Sequence, residues 1–203
     1  MTKDCKKRRI ILASASPRRK EILEGMGARF TILTADTDES SNISDPIELT
    51  KELARRKGEA VYSLLCKRGE SDGAVVIAAD TVVACDGQIL GKPKDEQEAR
   101  RMLTLLSGRT HIVATGIAVI SDGVIHTDHS VTEVEVDNIP DTEIDKYISS
   151  KDPFDKAGGY GIQGSFSKWV RGIHGCYFGV VGLPTNKLSA LFFKAVGAYP
   201  DEL

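Results

Sequence analysis

Runs of apolar residues along the chain predict the strands of a sheet. Residues 74–84 form the strongest run, and residues 9–13 and 111–120 form two more. Continuous apolar runs rich in branched residues favour strands that are buried inside a sheet. The alternating pattern of residues 131–136 predicts a half-exposed strand instead. Strands are also predicted over residues 30–33 and 177–181.

Helical spacing of apolar residues, together with capping residues, predicts the helices. Ser16 and Pro17 are typical of a helix start. The run Asp45-Pro46-Ile47-Glu48 has the spacing of a capping box before a long helix. Gly58 interrupts that helix and predicts a weak point at which it can kink. The remaining helices are predicted over residues 95–106, with Ala99, Met102, Leu103 and Leu106 facing inward, and over residues 139–148 and 188–196.

Two turn signals organise these elements into an α/β fold. Asp86-Gly87 and Asp122-Gly123 are typical of tight β-hairpins. Hairpins mixed with β-α units predict a mixed sheet flanked by helices. No repeat, low-complexity tract or Pro-rich linker divides the chain, so a single domain is predicted over residues 1–203.

Composition and charge narrow the function classes. The chain has 203 residues, 41% of them hydrophobic, and a formal net charge of -2. A near-neutral charge provides no overall field towards nucleic acid or membrane. No apolar run approaches the roughly 20 residues of a membrane helix. The basic cluster of Lys3, Lys6, Lys7, Arg8 and Arg9 is predicted to be a solvated terminus.

The cysteines indicate a reducing compartment. Cys5, Cys66, Cys85 and Cys176 are far apart and form no C-x-x-C pair. Such spacing predicts free thiols and neither a disulfide framework nor a zinc site. A cytoplasmic location is therefore expected.

Asp80 is the first candidate for chemistry. It lies in the middle of the most apolar predicted strand, and Thr81 follows it. A buried carboxylate is costly unless it is paired, binds a metal or opens into a cleft. Hydrogen bonds from a neighbouring loop are the structural alternative.

Three further segments bring charges and glycines together. The junction from Ser14 to Arg19 combines a helix start with small hydroxyl residues and two arginines, which favours an anion site. A capped helix with solvated arginines explains that junction equally well. Lys92 stands beside a proline in Gly91-Lys92-Pro93. The segment 155–164 holds four glycines, a carboxylate, an ammonium group and an amide, which suggests a backbone that closely approaches a ligand. His111 and His174 have no obvious partner for a catalytic triad.

In order and spacing, these segments resemble the Maf family of nucleotide pyrophosphatases. The resemblance rests on Ser14 to Arg19, Ala79-Asp80-Thr81, Gly91-Lys92-Pro93, Leu106-Ser107-Gly108 with His111, residues 155–164, and Val181-Gly182-Leu183-Pro184. It extends from about residue 10 to residue 191. It implies an elongated α/β fold similar to that of inosine triphosphate pyrophosphatases, with two lobes around a cleft, and a homodimer.

The resemblance also implies roles for individual residues. Asp80 would be the catalytic carboxylate that activates water. Glu39 or Asp80 would hold a divalent cation, Mg²⁺ or Mn²⁺, and the sequence leaves the choice between them open. Ser14, Arg18 and Arg19 would hold the triphosphate. The further substrate-binding positions are Glu39, Lys57, Thr81, Lys92, Asp155, Lys156 and Gln163.

The segment Lys156 to Gln163 resembles the branch of the family that acts on dTTP and UTP. Arg19, Thr81 and Gln163 match positions associated with that choice. Hydrolysis of dTTP and UTP to monophosphate and pyrophosphate is therefore expected, with modified pyrimidine nucleotides as further candidates. Removal of damaged nucleotides and arrest of cell division are both compatible with it. A pyrophosphatase for 7-methyl-GTP and a non-catalytic regulator of septum formation remain the alternatives.

Overall fold

The computed structural model describes residues 8–203. Lys3, Cys5, Lys6 and Lys7, and with them most of the predicted basic terminus, lie outside the described residues. Within the described part, seven strands form one open sheet in the order β2-β1-β3-β5-β6-β7, and β4 pairs with β3. The strands are β1 (Arg9–Leu12), β2 (Phe30–Ile32), β3 (Ala74–Cys85), β4 (Gln88–Leu90), β5 (Thr110–Ser121), β6 (Val124–Val136) and β7 (Val170–His174).

The sheet is mixed, as predicted. Strand β1 is parallel to β2 and to β3, whereas β3, β5, β6 and β7 are paired antiparallel. The two predicted hairpins join β3 to β4 and β5 to β6. Asp86 and Asp122 adopt positive φ angles of 49° and 51°, each followed by a glycine that is also left-handed. This conformation matches the twist of adjacent strands, which explains the Asp-Gly sequence of both turns.

Six α-helices flank the sheet in the described residues. They are α1 (Pro17–Gly25), α2 (Pro46–Lys67), α3 (Glu96–Leu106), α4 (Asp141–Ser149), α5 (Tyr177–Val181) and α6 (Thr185–Val196). Helices α1 and α6 cover one face of the central strands, and α2 covers the other. Helices α3 and α4 pack over the far ends of β3, β5 and β6. None of the helices in residues 8–203 is long and apolar enough to span a bilayer.

Helix α2 is the longest helix and lies very close to the sheet. The side chain of Asp45 accepts hydrogen bonds from the backbone N–H groups of Ile47 and Glu48, so the predicted cap is present. The helix continues through Gly58, the residue at which the sequence allowed a kink. Gly58 is buried against the sheet, and a Cβ at this position would lie only 3.0 Å from Cδ1 of Ile120. Close packing on the sheet therefore holds the helix at its weakest residue.

The prediction of a strand over residues 177–181 is wrong. These residues form the single helical turn α5, between Gly175 and Gly182 with φ angles of 134° and 127°. The Sγ atom of Cys176 accepts a hydrogen bond from the N–H group of Gly179 and caps the turn. A short apolar run fits a buried helical turn as well as a strand. The edge strand β7 was not predicted, because Gly172 interrupts its alternation.

Candidate active site

A gap in the sheet exposes the centre of β3. Strand β1 pairs with β3 as far as Leu12 opposite Ile77, and β4 begins to pair at Val83. On the side facing away from β5, residues 78–82 have no neighbouring strand within the described chain. Asp80 and Thr81 lie in this interval, and their side chains point to opposite faces of the sheet. Both reach the opening because the edge of the strand is free.

The gap leads into a cleft of about 420 Å³, which adjoins a second one of about 380 Å³. These volumes lie within the range of small-molecule sites. The two clefts share Ser16, Arg18, Arg19, Glu39, Lys57, Lys92 and Asp155 in their walls, so we treat them as one continuous cleft. Each residue predicted for the site lines one or both parts of it. The structure therefore brings together positions from 14 to 163.

Asp80 is paired within the cleft. Only 7% of its surface is exposed. Its Oδ1 atom accepts a hydrogen bond of 2.6 Å from Nζ of Lys57, and Glu39 Oε1 lies 2.9 Å from the same nitrogen. Burial raises the pKa of the Asp80 carboxyl above its ordinary value, while the Lys57 ammonium acts in the opposite direction. The Oδ2 atom accepts no hydrogen bond from the described residues and is free to face a ligand or water.

Arg19 is fixed by three contacts. Its Nε donates to the carbonyl of Gly182 at 2.9 Å, Nη1 donates to Oγ of Ser14 at 3.2 Å, and Nη2 donates to Oγ1 of Thr81 at 3.1 Å. Burial lowers the pKa of the guanidinium from its ordinary value. A guanidinium remains charged in proteins. The cleft therefore contains a cation with a fixed orientation.

Thr115 supports this group from the neighbouring strand, and sequence reasoning missed it. It lies opposite Thr81 in the β3–β5 register, and the two hydroxyl oxygens are 2.9 Å apart. Its hydroxyl donates to the carbonyl of Gly179 in α5 at 2.8 Å. Thr115 is completely buried. The available signal was a hydroxyl inside an apolar strand, which is far weaker than the charge that singled out Asp80.

The charged start of the Gly-rich segment is held by ion pairs. Arg18 Nη1 donates to Oδ2 of Asp155 at 2.9 Å. Lys156 Nζ donates to Oδ1 of Asp155 at 2.6 Å, and to the carbonyl and carboxylate of Asp152 at 2.7 and 2.8 Å. All three hydrogens of the Lys156 ammonium are thus used by the protein. Lys156 fixes the turn, whereas Arg18 retains donors that face the cleft.

Two predicted residues make no side-chain hydrogen bond or ion pair within residues 8–203. Lys92 follows β4 and is exposed in the wall of both parts of the cleft. Gln163 is exposed near the end of the Gly-rich segment 155–164 and lines the larger part. Their free polar groups are available to a ligand.

The two ends of the cleft differ in the charge and polarity of their walls. Around Arg18, Lys57 and Lys92 the walls carry several positive groups. The larger part is lined instead by the apolar side chains of Leu49, Leu53, Val83, Ile89, Val113 and Ile162. Tyr160 closes this region, and its hydroxyl lies 2.7 Å from Nε2 of His111. One end therefore suits phosphates, and the other suits a planar ring.

Two carboxylates also approach one point. The oxygens of Asp80 and Glu39 both contact Nζ of Lys57. The described residues contain no cluster of three or more metal-binding side chains. Mg²⁺ commonly takes one or two carboxylates and completes its shell with substrate phosphates and water. Nζ of Lys57 occupies that point, so a cation bound together with a phosphate ligand would have to use the second oxygen of either carboxylate.

Comparisons with known proteins find a matching family model and several similar chains. A family model for Maf-like proteins matches residues 9–195. A dTTP/UTP pyrophosphatase of Agathobacter rectalis is 48% identical over 191 residues, which cover 88% of this chain and 93% of the relative. The dTTP/UTP pyrophosphatase of Thermococcus kodakarensis is also 48% identical, over 92% of this chain and 98% of the relative. The one from Chromobacterium violaceum is 45% identical over 90% and 92%.

Proposed function

The chain belongs to the family of Maf-like proteins, and we propose that it hydrolyses dTTP and UTP to the monophosphate and pyrophosphate. The proposal is carried by one observation: a buried carboxylate, Asp80, opens into a cleft with a cationic end and an apolar end. Relatives that bear the name dTTP/UTP pyrophosphatase match about nine-tenths of the chain. Both observations fit a nucleoside triphosphate with its phosphates and base at opposite ends.

The chemistry assigned to Asp80 is activation of water. Lys57 holds Oδ1 at 2.6 Å, so Oδ2 can accept a proton from a water that attacks the α-phosphorus. The bond from that phosphorus to the bridging oxygen breaks, and pyrophosphate leaves on the opposite side. A carboxylate whose pKa is raised by burial is a stronger base. Phosphoryl chemistry otherwise demands positioning and charge neutralisation.

The cationic end supplies that neutralisation. Arg18 and Lys92 face the space in which β- and γ-phosphates would lie, and Ser14 lies at the junction between β1 and α1. Planar guanidinium groups bind phosphate oxygens in pairs. Glu39 would hold Mg²⁺ or Mn²⁺, because the free oxygen of Asp80 is assigned to the attacking water, and the cation would polarise the phosphate oxygens when bound.

The apolar end would receive the base. Thymine and uracil present an N3–H donor between two carbonyl acceptors, and one amide can donate to a carbonyl while accepting from N3–H. Gln163 is exposed at the cleft and has both groups free. The side chains of Leu49, Val83 and Ile89 provide apolar surface for the ring and for the thymine methyl group.

The proposal also includes a cellular location and an oligomeric state. Cys66, Cys85 and Cys176 are free thiols in the structure. Free thiols suit the reducing cytoplasm, where nucleoside triphosphates are abundant. A homodimer is part of the same proposal and can be measured by light scattering.

The decisive experiment is pyrophosphate release from a panel of canonical and modified nucleoside triphosphates, with Mg²⁺ or Mn²⁺ and with chelator. We expect release that is abolished by chelator and fastest with dTTP and UTP. Fastest release from 7-methyl-GTP would keep the reaction and overturn the base assignment. No release from any nucleotide would favour a partner-binding regulator of division.

A further inference from the structure

The hydroxyl groups of Thr81 and Thr115 form a relay with a fixed direction. The carbonyl of Gly179 can only accept a hydrogen bond, so the hydrogen of the Thr115 hydroxyl points towards it, at 2.8 Å. Thr115 must then accept from Thr81, over 2.9 Å. Arg19 Nη2 can only donate and does so to Thr81 at 3.1 Å. Both ends of the relay are chemically fixed, and therefore its direction cannot reverse.

This direction determines what the cleft offers to a ligand. The single hydrogen of Thr81 is used by Thr115, and one lone pair accepts from Arg19. The remaining lone pair of Oγ1 can only accept. Arg19 uses three of its five N–H groups within the described residues, one on each nitrogen. One donor is left on each terminal nitrogen, and the one on Nη2 lies next to the accepting oxygen of Thr81.

An acceptor beside a donor matches one base edge and rejects another. Uracil and thymine offer N3–H to an acceptor and a carbonyl oxygen to a donor. Cytosine offers an unprotonated N3 and an amino group, so both contacts would join groups of the same kind. A buried polar group without a partner is costly. The Arg19–Thr81 pair is thus complementary to uracil and thymine only.

Once Thr81 accepts from N3–H, Gln163 is left to donate to the second carbonyl oxygen of the base, and alone it cannot provide this selectivity. Its side chain is exposed and makes no hydrogen bond within residues 8–203. An unanchored amide can rotate by half a turn and exchange its donor for its acceptor, so that it fits cytosine as well as uracil. Selection needs a partner that cannot reverse.

We propose that Thr115 is a positioning residue for base selection, which acts by holding the Thr81 hydroxyl as an acceptor towards the cleft. Thr115 is completely buried and reaches the substrate only through Thr81. The inference rests on the proposed hydrolysis of dTTP and UTP and names the group that separates these substrates from cytosine nucleotides.

The test is Thr115→Val, which keeps the shape of the side chain and removes its hydroxyl. The hydrogen of Thr81 is then free to point at N3 of cytosine. We expect the ratio of kcat/KM for UTP to that for CTP to fall by about tenfold, in line with one buried hydrogen bond. The ratio for dTTP and dCTP should fall in parallel. Thr115→Ser retains the relay and should retain the ratio.

Thr132→Val is the matched control. Thr132 is also buried, and its hydroxyl donates to the carbonyl of Cys176 at 3.2 Å and accepts from the Cys176 N–H at 2.9 Å. It therefore anchors the start of α5 without touching Thr81. This variant should keep the UTP-to-CTP ratio even where it lowers stability. An equal loss of the ratio in Thr132→Val would show that α5 matters as a whole and would overturn the role of Thr115.

Binding measurements separate this inference from the proposed function. Dissociation constants for α,β-methylene-UTP and α,β-methylene-CTP need no turnover. A preference for the uracil analogue without hydrolysis of UTP would overturn the proposed function and leave base selection standing. Equal binding of both analogues by the unmodified protein, or an equal loss of both in Thr115→Val, would overturn the inference. Thr81→Val removes the accepting oxygen itself and should also lower the UTP-to-CTP ratio; if Thr115→Val does not fold, an unchanged ratio in Thr81→Val would overturn the inference.

Discussion

The carboxylate of Asp80 is the group on which the proposed chemistry depends. Asp80→Asn keeps the shape of the side chain and its contact with Lys57 but cannot accept a proton from water. We expect kcat to fall by about 10²–10⁴-fold, the usual contribution of a general base. The free energy of unfolding, measured in urea, should change little, because the amide can still accept from Nζ of Lys57.

A carboxylate outside the cleft provides the control for that variant. Asp128 in β6 lies 3.5 Å from Lys187 and lines neither part of the cleft. Asp128→Asn should leave kcat unchanged. Turnover by Asp80→Asn at the rate of the unmodified protein would contradict the role of the carboxylate.

Two lysines of the site are expected to behave differently. Lys92 has no protein partner in the described residues, so Lys92→Gln should lower kcat/KM roughly tenfold to a hundredfold at unchanged stability. Lys156 is bonded to Asp152 and Asp155, so Lys156→Gln should lower the free energy of unfolding by about 1–2 kcal/mol. Steady-state kinetics and urea titrations on both variants test this. The reverse pattern, with Lys156→Gln stable and inactive, would make Lys156 a substrate ligand.

Single residues show how far the sequence could predict the site. Asp80 was recognised because a charge inside an apolar strand needs an explanation. Thr115 has the same setting, but a threonine is common in strands and gave no comparable signal. Its importance depends on the register that places it opposite Thr81 and on the carbonyl of Gly179. Neither the strand register nor a long-range hydrogen bond can be predicted from the local sequence pattern.

At the scale of elements, the approach of α2 to the sheet sets the geometry of the site. Gly116 in β5 lies opposite Asp80 in the register, and a Cβ on it would lie 2.4 Å from the backbone of Thr50. Gly116→Ala must therefore push away the helix that carries Lys57. We expect a loss of about 3 kcal/mol or more in the free energy of unfolding.

Gly25, a glycine in α1, provides the control for the contact between Gly116 and Thr50. Gly25 ends α1, and a Cβ there would meet no atom within 4 Å. Gly25→Ala should be neutral or slightly stabilising, because alanine favours helices over glycine. Urea titrations on both variants compare them directly. Equal stability of Gly116→Ala and the unmodified protein would mean that α2 can shift without cost.

The predicted elements were most accurate where caps and periodicity agreed. Helix α3 was predicted from Asp95 and four apolar residues, and all four are buried. Helix α5 was assigned to a strand, because its four large apolar residues and one glycine span little more than one helical turn, which is too short to show a helical period. Two contacts hold the helical turn. Gly179 packs so closely against Ser130 that a Cβ on Gly179 would lie only 3.0 Å from Oγ of Ser130, and Cys176 caps the turn. Tertiary contacts decide such short segments.

At the scale of the whole molecule, one sheet links three apolar clusters, and the site lies where they meet. Val83 and Tyr160 belong to the cluster under α3 and α4, Ala79 to that under α1 and α6, and Ala78 to that under α2. Strand β3 contributes to all three and carries Asp80 at its unpaired edge. The cleft is thus held by the most buried strand of the fold, which suits chemistry that requires fixed positions.

His111 links the global stability to pH. It is 97% buried, and burial lowers its pKa from 6.5 to about 4, so it stays neutral beside Tyr160 in the folded state. The unfolded chain binds a proton at His111 already below about 6.5. Between pH 6.5 and 4 the unfolded state therefore holds more protons, and the free energy of unfolding falls as pH falls, by on the order of 3 kcal/mol from this residue. Urea titrations at several pH values measure the slope. His111→Gln cannot titrate and should flatten it, whereas His174→Gln removes an exposed histidine and should not; parallel curves for the unmodified protein and His111→Gln would assign the acid sensitivity to the carboxylates instead.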